Sequence, residues 1–253
     1  MKPMAYDAAK IPLLFVNLDR DAERRERLEA ELARLNLPGQ RLHAVWWAEL
    51  PAAEQDALYS PELNRDQYYK PLVNGEKGCY ASHIQAWRQL IASDAPAMVV
   101  LEDDVRLDDR LADGIAAIAA LDTPWDMVKL LGRVHEKVRS QRPLLPDVAL
   151  VEYQRVPSMT AGYVISRAGA AKLLATRVPF GRPIDVDLRF WWENDLRILG
   201  TVPSLLILDE TSFVSSIWTE KPRVPLLQKL RKFVMKLGLS LGNARHRRTQ
   251  SRL

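Results

Sequence analysis

A chain of 253 residues, 47% hydrophobic and 27% charged, has the composition of a globular protein with one substantial core. Its net charge of +4 hides an asymmetry: residues 221–253 hold ten Lys or Arg and no acid, so residues 1–220 carry 26 bases against 32 acids. An acidic body argues against a nucleic-acid partner, and the single cysteine, Cys79, excludes an internal disulfide.

No run approaches the roughly 18 apolar residues that a spanning helix needs. The first apolar run, Ile11 to Leu18, is short and leads into Asp19–Arg27 rather than a small-residue cleavage site, so a cytoplasmic protein is expected. Residues 11–18 (IPLLFVNL) read as a strand and 20–36 as a helix, with Leu28, Leu32 and Leu35 on one stripe and Asp19 as N-cap. Pro38-Gly39 closes that unit, and RLHAV at 41–45 opens the next strand. A helix follows over 78–93, then AMVVL (97–101), whose uninterrupted apolar run marks a strand covered on both faces. A helix over about 108–120, strands in WDMVKLL and GYVIS, and a helix over about 167–175 continue the alternation, which predicts an α/β sheet.

The strand at 97–101 runs straight into Glu102, Asp103 and Asp104. In open α/β sheets ligands bind outside the carboxyl ends of strands, and extended backbone would send Glu102 and Asp104 to one side and Asp103 to the other. Carboxylate oxygens there suit Mn²⁺ or Mg²⁺; a solvated acidic turn is the alternative. In NGEKGCYASHIQAW (74–87), Gly75 and Gly78 permit tight backbone, Glu76 and Lys77 add charge, and Ser82 and His83 enter the helix. Such a turn can cradle a phosphate or orient a sugar hydroxyl, although a histidine beside Trp87 also reads as packing. Around the strand GYVIS, Thr160, Gly162 and Tyr163 are candidate ligand contacts. In RPIDVDLRFWWEND (182–195), Asp185, Asp187 and Glu193 surround two tryptophans, an arrangement that suits a sugar ring, while Asp185 also reads as a helix cap.

From Pro225 to Leu241 the apolar residues Leu226, Leu227, Leu230, Phe233, Val234, Leu237 and Leu241 share a helical sector of about 120°, and Lys229, Arg231, Lys232 and Lys236 fall outside it. Met235 and Leu239 interrupt the polar face. The pattern divides the chain into a domain at 1–220 and a basic amphipathic tail at 221–253, which is either an anchor on an anionic membrane or a helix packed on the domain.

Six ordered blocks, VNLDRDAERR (16–25), GEKGCYASHIQAW (75–87), VVLEDDV (99–105), TAGYVISRAGAAKLL (160–174), PIDVDL (183–188) and SFVSSI (212–217), together resemble glycosyltransferase family 25. The resemblance covers about residues 11–217. It implies a GT-A-like nucleotide-sugar transferase fold with a central, mostly parallel sheet flanked by helices. It also implies inverting transfer of a hexose, most often galactose, from a UDP-sugar to a saccharide acceptor of lipopolysaccharide or lipooligosaccharide. By the same match Glu102, Asp103 and Asp104 form the acidic metal motif, and Asn17 and Arg20 meet the nucleotide. The general base that inversion requires is then expected at Asp185 or Asp187. The turn AVWWAEL (44–50) departs from the acidic or glycine-containing turn of the family. With a lipid-linked acceptor, the expected location is the cytoplasmic face of the inner membrane. A membrane-tethered saccharide-binding module and another metal-dependent, nucleotide-using transferase are the alternatives.

Overall fold

The computed structural model describes residues 11–132, 136–209 and 225–246. The chain runs β1 (Leu13–Asn17), α1 (Ala22–Arg34), β2 (Gly39–His43), α2 (Ala52–Leu58), α3 (Pro61–Gln67), α4 (Asn74–Ala92), β3 (Ala97–Glu102) and β4 (Val105–Leu107). It continues through α5 (Leu111–Ala119), β5 (Met127–Lys129), β6 (Val138–Leu145), β7 (Val148–Tyr153), β8 (Gly162–Ser166), α6 (Arg167–Thr176), α7 (Ile184–Asp187), β9 (Ile198–Val202), β10 (Leu206–Leu208) and α8 (Leu226–His246). Short 3-10 turns at Trp47–Glu49 and Leu188–Glu193 follow β2 and α7.

The apolar runs build an eight-stranded sheet of order β2-β1-β3-β8-β5-β9-β7-β6. Six strands share one direction, and β8 and β7 oppose it. Alternate residues of each strand feed opposite faces. Leu14, Met98 and Val100 face the layer of Tyr80, Ile84 and Trp87 on α4, with Leu173 on α6. Leu13, Phe15, Val99 and Leu101 face Leu28 and Leu32 on α1, with Leu111 and Ile115 on α5. Burying each such side chain contributes roughly 1.5–3 kcal/mol, which is why runs this short hold their strands.

Two boundaries differ from expectation. Asp21, not Asp19, stands at the N-cap of α1, because the Asp19 carboxylate is taken by Arg41 at 2.6 Å and His43 at 2.8 Å. The fourth helix starts at Asn74 rather than 78, so Gly75 and Gly78 lie inside it. Gly78 has a packing reason: a Cβ there would stand 2.4 Å from the Val45 carbonyl oxygen.

The amphipathic segment is helical and packs on the body, but through the residues that interrupted its polar face. Leu239 and Asn243 are buried, and Met235 joins the α4 layer. Trp191 Nε1 donates to Asn243 Oδ1 at 3.2 Å, and Trp192 stacks on His246 at 5.8 Å.

Candidate active site

The chain leaves β1 for β2 on one side and reaches β3 on the other, so the carboxyl ends of β1 and β3 form the switch point at which α/β sheets bind ligands. A cleft of about 350 Å³ opens there, between the end of β1, the 44–48 turn, the start of α4 and the acids after β3. Asn17, Arg20, Gly75, Ser82, His83, Glu102, Asp103 and Asp104, separated by up to 87 positions in sequence, all line it.

The three acids have different surroundings. Asn17 Nδ2 donates to Asp103 Oδ2 at 2.7 Å, and Arg24 lies 3.5 Å from Asp103 Oδ1. Glu102 Oε1 accepts from Thr160 Oγ1 at 3.0 Å and stands 3.4 Å from His83 Nε2. Trp87 Nε1 donates to the Tyr163 hydroxyl at 3.0 Å, and that hydroxyl is 2.8 Å from His83 Nδ1. The indole nitrogen only donates, so the hydroxyl accepts there and keeps its O–H to donate to Nδ1, the tautomer that directs Nε2–H at Glu102. Burial raises the Glu102 pKa, but His83, Thr160 and Lys129 outweigh it, and the group is held below the usual carboxylate range. Asp104 goes the other way: burial, then the charges of Glu102 and Asp103, push it up to about 7. Its Oδ1 is buried with no hydrogen-bond partner among the described residues.

Asp185 follows Pro183 in the first turn of α7, and its burial raises its pKa to about 6 against the pull of Lys129. Lys129, at the end of β5 and 1% exposed, donates to the Pro157 carbonyl at 2.7 Å, and burial lowers it to about 7. The charges of Lys129 and Glu102 both act on Asp185, although Asp185 itself does not line the cleft.

Several expectations are corrected. Asp187 is 2% exposed, and its carboxylate is held by the Tyr80 hydroxyl at 2.7 Å, Arg182 at 3.1 Å and Arg177 at 3.3 Å. A group so enclosed meets no acceptor, so Asp187 is structural. Tyr163 is fully buried and acts through His83. A Cβ on Gly162 would lie 2.1 Å from Leu206 Cδ1, so that glycine serves packing. Thr160 holds Glu102 rather than lining the cleft. Glu76 bonds Lys70 at 2.9 Å and the Val73 backbone N–H at 3.0 Å, which occupies it at the N-terminus of α4. Ser82 accepts from Val45 N–H and donates to the Gly78 carbonyl, both at 2.8 Å, fixing the 44–48 turn against α4.

The acids also do not form one ligand triplet, because Asp103 is turned to Asn17 and Arg24. Among the described residues, the triplet of ligand atoms lying within 4.8 Å of one another is Cys79, His83 and Glu102. Burial, then Glu102 and Asp185, push the Cys79 thiol well above its ordinary range, and a soft sulfur ligand does not suit the hard cations that carboxylate oxygens take. The unpartnered Asp104 oxygen, with Glu102 beside it, fits a hard divalent cation better.

Lys129 and the Arg177–Arg182 pair were not singled out from the sequence. A lysine inside the apolar stretch MVKLL was the available signal for Lys129. The unusual turn gains a partner too: Trp46 is 42% exposed at the cleft, with the Arg20 guanidinium 4.4 Å above its ring.

A family model described as glycosyltransferase family 25 (LPS biosynthesis protein) matches residues 10–188. Human (Homo sapiens) procollagen galactosyltransferase 2 is 32% identical over 185 residues, 69% of this chain and 29% of that protein. Procollagen galactosyltransferase 1 of Danio rerio is 28% identical over 182 residues, covering 69% and 30%. A Bos taurus relative named probable inactive glycosyltransferase 25 family member 3 is 32% identical over 181 residues, covering 68% and 30%. The chain therefore spans less than a third of the length of these relatives. Among solved structures, a Drosophila β-1,4-galactosyltransferase 7 mutant in complex with manganese, UDP-Gal and xylobiose superposes with a TM-score of 0.40 and 9% identity over 87% of this chain and 78% of that one. That likeness decides nothing about chemistry, whereas the family match covers well over half the sequence. The chain belongs to glycosyltransferase family 25.

Proposed function

We propose that the protein is a metal-dependent, inverting galactosyltransferase that moves galactose from a UDP-sugar to a hydroxyl of a lipid-linked saccharide of the lipopolysaccharide type. The observation that supports it is a pair of partly buried carboxylates, Asp104 in the cleft and Asp185 on α7, whose pKa values burial raises to about 7 and about 6, whereas Arg177 and Arg182 enclose Asp187. Glu102 and Asp104 would hold Mn²⁺ or Mg²⁺, and the cation supplies neutralisation of the charge on the leaving diphosphate. The N-terminus of the 19-residue α4, with Gly75 at the cleft, offers backbone N–H groups and a favourable dipole to the same phosphates. Arg20 and Trp46 present a cationic and an aromatic surface to the nucleoside. His83, ordered by Tyr163 and Trp87, keeps Glu102 ionised and oriented.

Asp185 takes the proton of the attacking hydroxyl. A pKa near 6 leaves it ionised at neutral pH yet basic enough to accept that proton. Inversion in one displacement requires such a base on the face opposite the diphosphate.

The test is release of UDP from a panel of nucleotide sugars by the purified protein with Mn²⁺, with EDTA and with Asp104→Asn. Slow release from UDP-galactose, stopped by EDTA and by the substitution, is the expected result. Release from no donor, with no donor bound, overturns the reading. It would favour a non-catalytic saccharide-binding module, a role that the name of the bovine relative makes concrete for this family.

A further inference from the structure

A helix on a protein surface normally turns its most apolar stripe inward. Helix α8 does the reverse. Its partly or fully buried residues, among them Arg231, Met235, Leu239, Gly242 and Asn243, form the face against the body. Arg231 donates to the Tyr68 carbonyl at 2.7 Å and to that of Arg65, and a Cβ on Gly242 would lie 2.1 Å from Trp192 Cζ2, so the docking is close. At 100° per residue the centre of that face points about 160° away from the stripe of Leu226, Leu230, Phe233, Val234, Leu237 and Leu241. Those six side chains are 47–83% exposed, and no described residue covers them.

The charge beside the stripe is of one sign. Lys229, Lys232 and Lys236 are exposed along one edge of it, Arg245 is exposed near the end of the helix, and residues 225–246 contain no Asp or Glu. An apolar stripe edged by bases alone complements a surface that is apolar beneath and anionic above. A second copy of this helix would bring lysines against lysines. Among the described residues no helix is long and apolar enough to cross a membrane, so α8 would lie in the interface rather than span it.

We infer that the outward face of α8 is a docking surface for an anionic lipid bilayer, with Leu230, Phe233 and Leu237 at its centre and Lys229 and Lys236 on the headgroups. The body goes with it as one piece, because α8 is seated on the Leu188–Glu193 turn that continues directly from α7 and Asp185. The docking itself is independent of the chemistry in the cleft, since vesicle binding is read without any donor.

The experiment is flotation of the full chain with vesicles of phosphatidylcholine alone and of phosphatidylcholine with phosphatidylglycerol at 3:1, alongside sedimentation to read oligomeric state. The expected result is flotation with the anionic vesicles only, weakened by 0.5 M salt. L230D/F233D should abolish it, and K229Q/K236Q should lower it about 25-fold, about fivefold for each charge removed. Both pairs are exposed, and unchanged circular dichroism and thermal unfolding would show that the variants fold. Flotation equal in wild type and L230D/F233D overturns the inference. So does a protein that stays at the bottom, whether monomeric or a dimer that L230D/F233D dissociates; the dimer would assign the face to a second copy. Loss of flotation with UDP release intact separates this surface from the proposed transfer activity.

Discussion

Asp104 and Asp187 are both carboxylates withdrawn from water, yet their neighbourhoods are opposite. Asp187 is enclosed by two guanidiniums and a phenol, an arrangement that satisfies its charge inside the fold. Asp104 has Glu102 and Asp103 for neighbours and an oxygen without a hydrogen-bond partner among the described residues. A folded chain keeps repelling carboxylates together only at a cost, and that cost is offset when a cation or substrate arrives. Compensation, not acidity, separates the two environments. Asp185, two residues from Asp187, resembles Asp104 in that burial raises its pKa.

The comparison sharpens first through activity. Asp104→Asn should lower transfer by at least about 10²-fold while leaving the unfolding midpoint the same or higher, because it removes a charge that burial disfavours. Unchanged UDP release would remove Asp104 from the metal site. Asp185→Asn should cost about 10²- to 10⁴-fold in kcat with the fold intact, and should flatten the fall in rate that wild type shows as pH drops through about 6. Near-full activity would rule out Asp185 as base. Asp187→Ala should behave oppositely. It leaves the buried Arg177 and Arg182 with Glu193 as their remaining carboxylate partner and should lower stability by about 3 kcal/mol in a urea titration, and a loss under about 1 kcal/mol would mean the network is not structural.

Lys129→Met probes the boundary between the two kinds of acid with a smaller effect. The lysine's positive charge lowers the Asp185 pKa, so its removal should raise the acid limb of the pH–rate profile above about 6, by up to about one unit or so. The lysine also leaves a mark on stability. Its pKa falls from 10.5 to about 7 on folding, so between those values the unfolded chain binds more protons, and stability should rise with pH across that window. That rise should shrink in the methionine variant, and parallel pH curves for the two proteins would contradict the buried, depressed lysine.

Much of the scaffold was readable locally. LLFVN, AMVVLE and GYVIS declared themselves as strands because a short apolar run between polar ends is enough. β6 was not legible, since VRSQRPLL is an edge strand with two arginines and a proline, and pairing with β7 alone makes it a strand. The short α2 and α3 likewise show no periodicity long enough to read. In the site, the position of Glu102 and Asp104 at the carboxyl end of β3 followed from the run before them. The opposed fates of Asp185 and Asp187 did not, because PIDVD shows no helical period. Once α7 forms, residues two apart point to different sides, so Asp187 meets the arginines and Asp185 does not. On α8 the wheel identified both faces, but Met235 and Leu239, which looked like flaws, are the docking face.

The sequence by itself determined the strands that carry the acids, the family and the existence of an amphipathic basic helix, all properties of residues near one another in the chain. Tertiary structure decided which acid is neutralised, which histidine nitrogen faces Glu102 and which side of α8 remains in solvent. Each of those depends on groups brought from far along the chain, Tyr80 to Asp187, Tyr163 to His83 and Trp191 to Asn243. Electrostatic and hydrogen-bond energies follow distance in space, which only folding sets.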